Sequence, residues 1–166
     1  MIALSRTAAR IEARGFTIIE LLVVMAVLGI LAAAVMPLGE TLLTAQRERD
    51  LRLALRELRG AIDDYKRAAD QGAIVVTSGQ SGYPANLKTL VDGTPDARPQ
   101  GKGKTQYFLR QIPRDPFADA RLPAEQTWRL RSYASPPNKP ATGADVYDVH
   151  SSSDGIALDG SPYAKW

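Results

Sequence analysis

The sequence predicts an α+β fold: a long N-terminal helix, apolar along its first half and amphipathic along its second, packed on a small antiparallel β-sheet. Three observations lead there. Phe16 to Met36 is almost purely apolar, interrupted by a carboxylate at Glu20. The stretch TLLTAQRERDLRLALRELRGAIDDYKRAADQG then repeats apolar residues at three- and four-residue steps. After Gly72 the texture turns to Gly, Pro and Ser, with short alternating apolar segments between turns.

The apolar run comes first. As a helix, Phe16 to Met36 would rise about 31 Å, close to the thickness of a bilayer's hydrocarbon core. Arg6, Arg10 and Arg14 precede it, a bias that keeps an N-terminus on the cytoplasmic side. Three readings of the run compete. It is a plain N-terminal anchor whose Glu20 reaches the interface. Or it is a secretory signal peptide with Ala32-Ala33-Ala34 as its small-residue cleavage site. The third reading rests on Arg14-Gly15-Phe16-Thr17-Ile18-Ile19-Glu20, which resembles the processing site of type IV pilins and type II secretion pseudopilins.

That resemblance implies cleavage between Gly15 and Phe16 by a prepilin peptidase and N-methylation of Phe16, the apolar stretch staying attached. It also implies a reason for Glu20. A lone charge in hydrocarbon costs several kcal/mol. Cleavage leaves an ammonium on Phe16, and in a helical filament the Phe16 of a neighbouring subunit is a partner for Glu20. Gly29 and Pro37 fall where the family places helix-loosening residues. Proline lacks an N–H and clashes with the preceding turn, so a kink or local melting is expected near Pro37.

Past Pro37, the residues Leu51, Leu55, Leu58, Ile62 and Tyr65 form one stripe, widened by Ala54, Ala61 and Ala68. Arg47, Arg49, Arg52, Arg56 and Arg59 are expected mostly to face outward, and Gly72 to end the helix. A short helix is expected over Asn86 to Val91. Three strands are expected over Tyr107 to Ile112, Thr127 to Tyr133 and Asp145 to His150. Gly82-Tyr83-Pro84 with Leu87 and Leu90, and Ile112-Pro113-Arg114-Asp115-Pro116-Phe117, are similar to two segments of the secretion G subunit, the major pseudopilin. The resemblance therefore points to that pilin-like family.

Composition excludes several classes. The chain has 166 residues and no cysteine, so neither a disulfide framework nor a thiolate metal site can form. Its 21 basic and 18 acidic residues leave a net charge of +3, a mixed surface that does not point to a nucleic-acid partner. Gly101-Lys102-Gly103-Lys104-Thr105 invites comparison with a phosphate loop, but the pattern needs glycine where Arg98 stands. His150 beside Asp148 and Ser151 does not make a hydrolase triad, because neighbours on a strand point to opposite faces. No enzyme is expected.

The last segment, ADVYDVHSSSDGIALDGSPYAKW, pairs Asp154-Gly155 with Asp159-Gly160. Major pseudopilins of the G type bind calcium in the corresponding loop, and Ca²⁺ takes about six to eight oxygen ligands. The resemblance implies a structural Ca²⁺ on Asp154 and Asp159, with Ser151, Ser153 and the carbonyl near Ile156 as further ligands. The alternative is two Asp-Gly turns.

The expected organisation is a cleaved basic leader at 1–15, a transmembrane and filament-core helix half at 16–38, and an amphipathic half at 39–72. A periplasmic globular region at 73–166 would hold a short helix, a three-stranded sheet and the acidic loop. The resemblance implies a structural subunit of the type II secretion pseudopilus. It would be stored in the inner membrane, polymerise with itself and with minor pseudopilins, and be assembled by an inner-membrane platform and its ATPase. The rivals are a type IV pilus subunit, a membrane-anchored periplasmic binding protein, and a DNA-uptake pilin using Lys102, Lys104, Arg110 and Arg114.

Overall fold

A computed structural model of the chain describes residues 15–166, with the side chains of 34–38 left out. The leader expected at 1–15 lies, Gly15 apart, outside the described residues. Helix α1 covers Ile18–Asp70. Its backbone stays helical through Gly29 and Pro37, so the local melting expected there is absent. Proline removes one intrahelical hydrogen bond, yet its own φ is helical, so long flanking turns can carry the helix through it.

The chain divides into two compact units, residues 1–40 and 41–166. In the first, the apolar side chains from Ile18 to Leu31 are exposed. Among the described residues no helix is long and apolar enough to cross a membrane. Positions 34–38, which complete the apolar run of the sequence, are not among the side chains described.

In the second unit, the predicted stripe is the core. Leu51, Leu55, Leu58, Ile62 and Tyr65 are all buried, as are Ala54, Ala61 and Ala68. Leu87 and Leu90, Leu109, Trp128, Val146 and Val149 complete the cluster. The helix ends as its sequence says. Gly72 takes φ +70°, the Ala73 N–H reaches the Ala68 carbonyl at 2.8 Å, and the Gly72 N–H reaches Ala69 at 3.0 Å. This is a Schellman closure, and a left-handed residue there favours glycine.

The short helix α2 is Lys88–Asp92, its first turn bonded by the Asn86 side chain, which accepts the Thr89 N–H at 2.9 Å. Four short strands follow: β1 at Thr94–Pro95, β2 at Thr105–Gln106, β3 at Trp128–Arg131 and β4 at Asp148–Ser151. They pair as two separate antiparallel ribbons, β1 with β2 and β3 with β4. In the second, Trp128 lies opposite Ser151 and Leu130 opposite Val149.

The three-stranded sheet expected from sequence is therefore corrected. Tyr107 to Ile112 is no strand, because its amides are taken by a helix end: Phe108 and Leu109 both donate to the Leu90 carbonyl at 3.0 Å. That tether puts Leu109 into the core and sets the Phe108 ring edge-on to Tyr65, with centroids 5.2 Å apart. Its apolar residues pack on α1 without a ladder. The expected strand Thr127 to Tyr133 is present in shortened form, and the one expected over Asp145 to His150 starts at Asp148 and runs one residue further, to Ser151.

Candidate functional site

Two places carry the chemistry that the sequence singled out. The first is the start of α1. Gly15, Phe16 and Thr17 precede the helix in exposed, non-helical backbone. The Thr17 hydroxyl accepts the Glu20 N–H at 3.2 Å, and the Thr17 carbonyl accepts the Leu21 N–H at 3.1 Å. Thr17 is thus the N-cap and Glu20 the third helical residue, with the hydroxyl half of a T-x-x-E capping box formed. Phe16 is 82% exposed. The Glu20 carboxylate has no hydrogen-bond or ion-pair partner among the described residues. It stands at the positive end of the helix dipole, where an anion is favoured. A β-carbon at Gly15 or Gly29 would meet nothing within 4 Å, so packing within the described structure demands neither glycine. The Pro37 side chain lies outside the described residues.

The second place is the closing segment, 152–166, in the unit 41–166. Two buried carboxylates organise it, and sequence reading assigned neither. Glu48, on α1, is 4% exposed. Its Oε1 accepts the Leu158 N–H at 2.7 Å and the Tyr163 hydroxyl at 3.1 Å, and Arg52 lies 3.7 Å from Oε2. Asp115 is 2% exposed. Its Oδ2 accepts the Ser151 hydroxyl at 2.6 Å and the Ser152 N–H at 3.1 Å, and its Oδ1 accepts the Phe117 N–H at 2.8 Å. Arg59 does not face outward as expected. It donates to Asp148 at 2.8 Å and to the main-chain oxygens of Val149 and Trp166 at 2.9 and 2.8 Å. A signal for each of the two carboxylates was present. Glu48 falls three residues before Leu51 on the apolar stripe, and Asp115 lies in the Pro-Arg-Asp-Pro turn.

The residues expected to hold calcium are engaged otherwise. Asp154 accepts from Arg129 at 2.8 Å. Asp159 Oδ1 accepts from the Ser161 N–H and hydroxyl at 2.9 and 2.6 Å. The Ser151 hydroxyl points at Asp115, and Ser153 Oγ accepts the Gly155 N–H at 3.2 Å. The Ile156 side chain is exposed. Among the described residues no group of three or more His, Cys, Asp or Glu side chains could hold a metal ion. The donor set therefore does not fit a calcium cage. His150 faces the Trp166 oxygen through Nδ1 at 3.1 Å and Asp148 through Nε2 at 3.4 Å.

Comparison with known proteins bears on the family. The family of the prokaryotic N-terminal methylation motif matches residues 12–36. Type II secretion system core protein G of Klebsiella pneumoniae is 31% identical over 111 residues, covering 63% of this chain and 69% of that protein. The chain belongs to the family of type II secretion system core protein G. It is a pseudopilin, a pilin-like structural subunit. No solved structure gives a significant match.

The pseudopilin's closing segment has a pH signature. Burial, and then the hydrogen bond and charge of Glu48, push the Tyr163 hydroxyl from 10.0 up to about 12. Asp159 adds to the rise and Arg52 opposes it. An unfolded tyrosine ionises near 10 and the folded one only near 12, so this stabilisation is whole below the unfolded value. It is lost as pH climbs through the folded one, by about 3 kcal/mol. Tyr83, also pushed up by burial, acts in the same direction. Urea unfolding across the alkaline range should show stability falling. Tyr163→Phe should flatten that fall by its share.

Proposed function

We infer that this pseudopilin is cut between Gly15 and Phe16 by a prepilin peptidase and methylated on the new amino group. The processed subunit waits in the bacterial inner membrane. Its apolar half at 16–38 spans the bilayer from a cytoplasmic N-terminus, and the unit 41–166 lies in the periplasm. Polymerisation through the N-terminal helix then builds a periplasmic pseudopilus with minor pseudopilins. An inner-membrane platform and its ATPase drive the assembly, and the growing filament pushes exoproteins across the outer membrane. No catalytic step and no nucleic acid are assigned to the subunit.

One observation carries this reading. The Glu20 carboxylate stands partnerless among the described residues, in the first turn of α1, close to the exposed, non-helical residues Gly15 and Phe16. A charge that leaves water for a bilayer or a filament core needs an opposite charge. The new Phe16 ammonium of an adjoining subunit supplies one. Mass spectrometry of the mature protein tests the first step. A chain beginning at Phe16 with one added methyl on its nitrogen is expected. A chain beginning at Val35, or keeping Met1, would sink the reading.

A further inference from the structure

We propose that the C-terminal segment of this pseudopilin closes without calcium, held by buried carboxylates of the protein where the family resemblance calls for a bound cation. A calcium loop turns its oxygens inward, because the ion at its centre is positive and accepts only lone pairs. Here the polarity is reversed. The groups that converge from the closing segment and from Ser151, the last residue of β4, are donors: the Leu158 amide and the Tyr163 hydroxyl on Glu48, and the Ser151 hydroxyl and Ser152 amide on Asp115. The centre they meet is an anion in each case. Both centres are almost fully buried, so the donors have no water to exchange for them.

The acidic groups left for a cation are already met by positive charge. Asp154 is paired with Arg129 and is otherwise exposed, and Asp159 lies 4.0 Å from Arg52. Arg52 also sits 4.1 Å above the Trp166 ring. A dication at this loop would meet two exposed carboxylates already faced by guanidinium groups and would gain no buried oxygen cluster. Arg59, bonded to the oxygens of Val149 and Trp166, fastens the far end of the segment to α1. Closure is thus encoded on α1, by Glu48 and Arg59, before any ion is supplied.

Thermal unfolding of the full chain in detergent micelles, followed by tryptophan fluorescence, reads the difference. It reports the subunit's own fold, so its outcome is separate from whether Gly15–Phe16 is processed. Midpoints in millimolar CaCl₂ and in EDTA should agree within about 1 °C, since a ligand that does not bind the native state cannot stabilise it. Asp154→Asn and Asp159→Asn should leave that agreement intact. Glu48→Ala should lower the midpoint by roughly 5 °C or more in both solutions. A rise of several degrees in CaCl₂ for the unaltered chain overturns the proposal, whether or not Asp154→Asn or Asp159→Asn removes it. Should Glu48→Ala fail to fold, Glu48→Gln keeps the shape and one acceptor oxygen. A loss of stability that calcium does not restore supports the proposal, and restoration by calcium overturns it.

Discussion

Replacing Glu20 with alanine is expected to block filament formation at ordinary subunit concentrations while leaving the unit 41–166 folded. The side chain stands at the N-terminal turn of α1 without a partner among the described residues, so its removal costs the subunit no contact of its own. The expected effect falls on assembly. There the Phe16 ammonium of the adjoining copy would be left buried and unpaired, a loss of about 3–5 kcal/mol per contact. Each 1.4 kcal/mol or so is a factor of ten in an association constant, so the concentration needed to polymerise rises by about two to four orders of magnitude. Glu20→Gln should behave like Glu20→Ala, because a neutral amide cannot balance an ammonium. Electron microscopy and cross-linking of cells producing each variant check this, with tryptophan fluorescence as the control for folding. Filaments at the unaltered yield from Glu20→Ala would refute the charge-pairing mechanism.

Loss of the Asp115 carboxylate has the largest expected effect on the fold. Asp115→Ala leaves the Ser151 hydroxyl, the Ser152 amide and the Phe117 amide without their acceptor inside the protein. An unsatisfied buried donor costs about 1–3 kcal/mol, so a total of about 4 kcal/mol is expected, a large part of a domain's usual 5–15 kcal/mol or so. The damage should spread from there. Asp115 binds the turn that holds Phe117 against Tyr163, ring centroids 4.2 Å apart, and that places the Pro113 carbonyl for the Trp128 indole at 2.8 Å. Asp115→Asn should cost less, because its amide oxygen still accepts while its nitrogen faces a donor. Urea unfolding monitored at Trp128 measures both. A loss below about 1 kcal/mol for Asp115→Ala would show that water or a neighbour replaces the carboxylate.

Local chemistry made much of this protein legible in its sequence. The periodic stripe from Leu51 to Tyr65 is the core face of α1, because side chains three and four apart share one side of any α-helix. Gly72 ends the helix because the closure there needs a left-handed residue. Thr17 and Glu20 start it by capping chemistry that spans four consecutive residues. The methylation motif over residues 12–36 is likewise contiguous, so the family could be recognised before any fold was known.

Contacts between distant segments were decided only in three dimensions. Tyr107 to Ile112 looks like a strand by its residues. It becomes a loop because its amides find the Leu90 carbonyl, and nothing in the segment itself announces that acceptor. Arg59 looks like one of five solvent-facing arginines until Asp148 and Trp166, far along the chain, come to meet it. Asp154 and Asp159 draw the eye as paired acidic turns, yet they lie exposed while Glu48 and Asp115 do the binding. The physical reason is common to all of these. Helix periodicity and caps are satisfied within a few residues. A buried charge is settled by whichever donors the rest of the chain brings to it, and only the folded molecule says which those are.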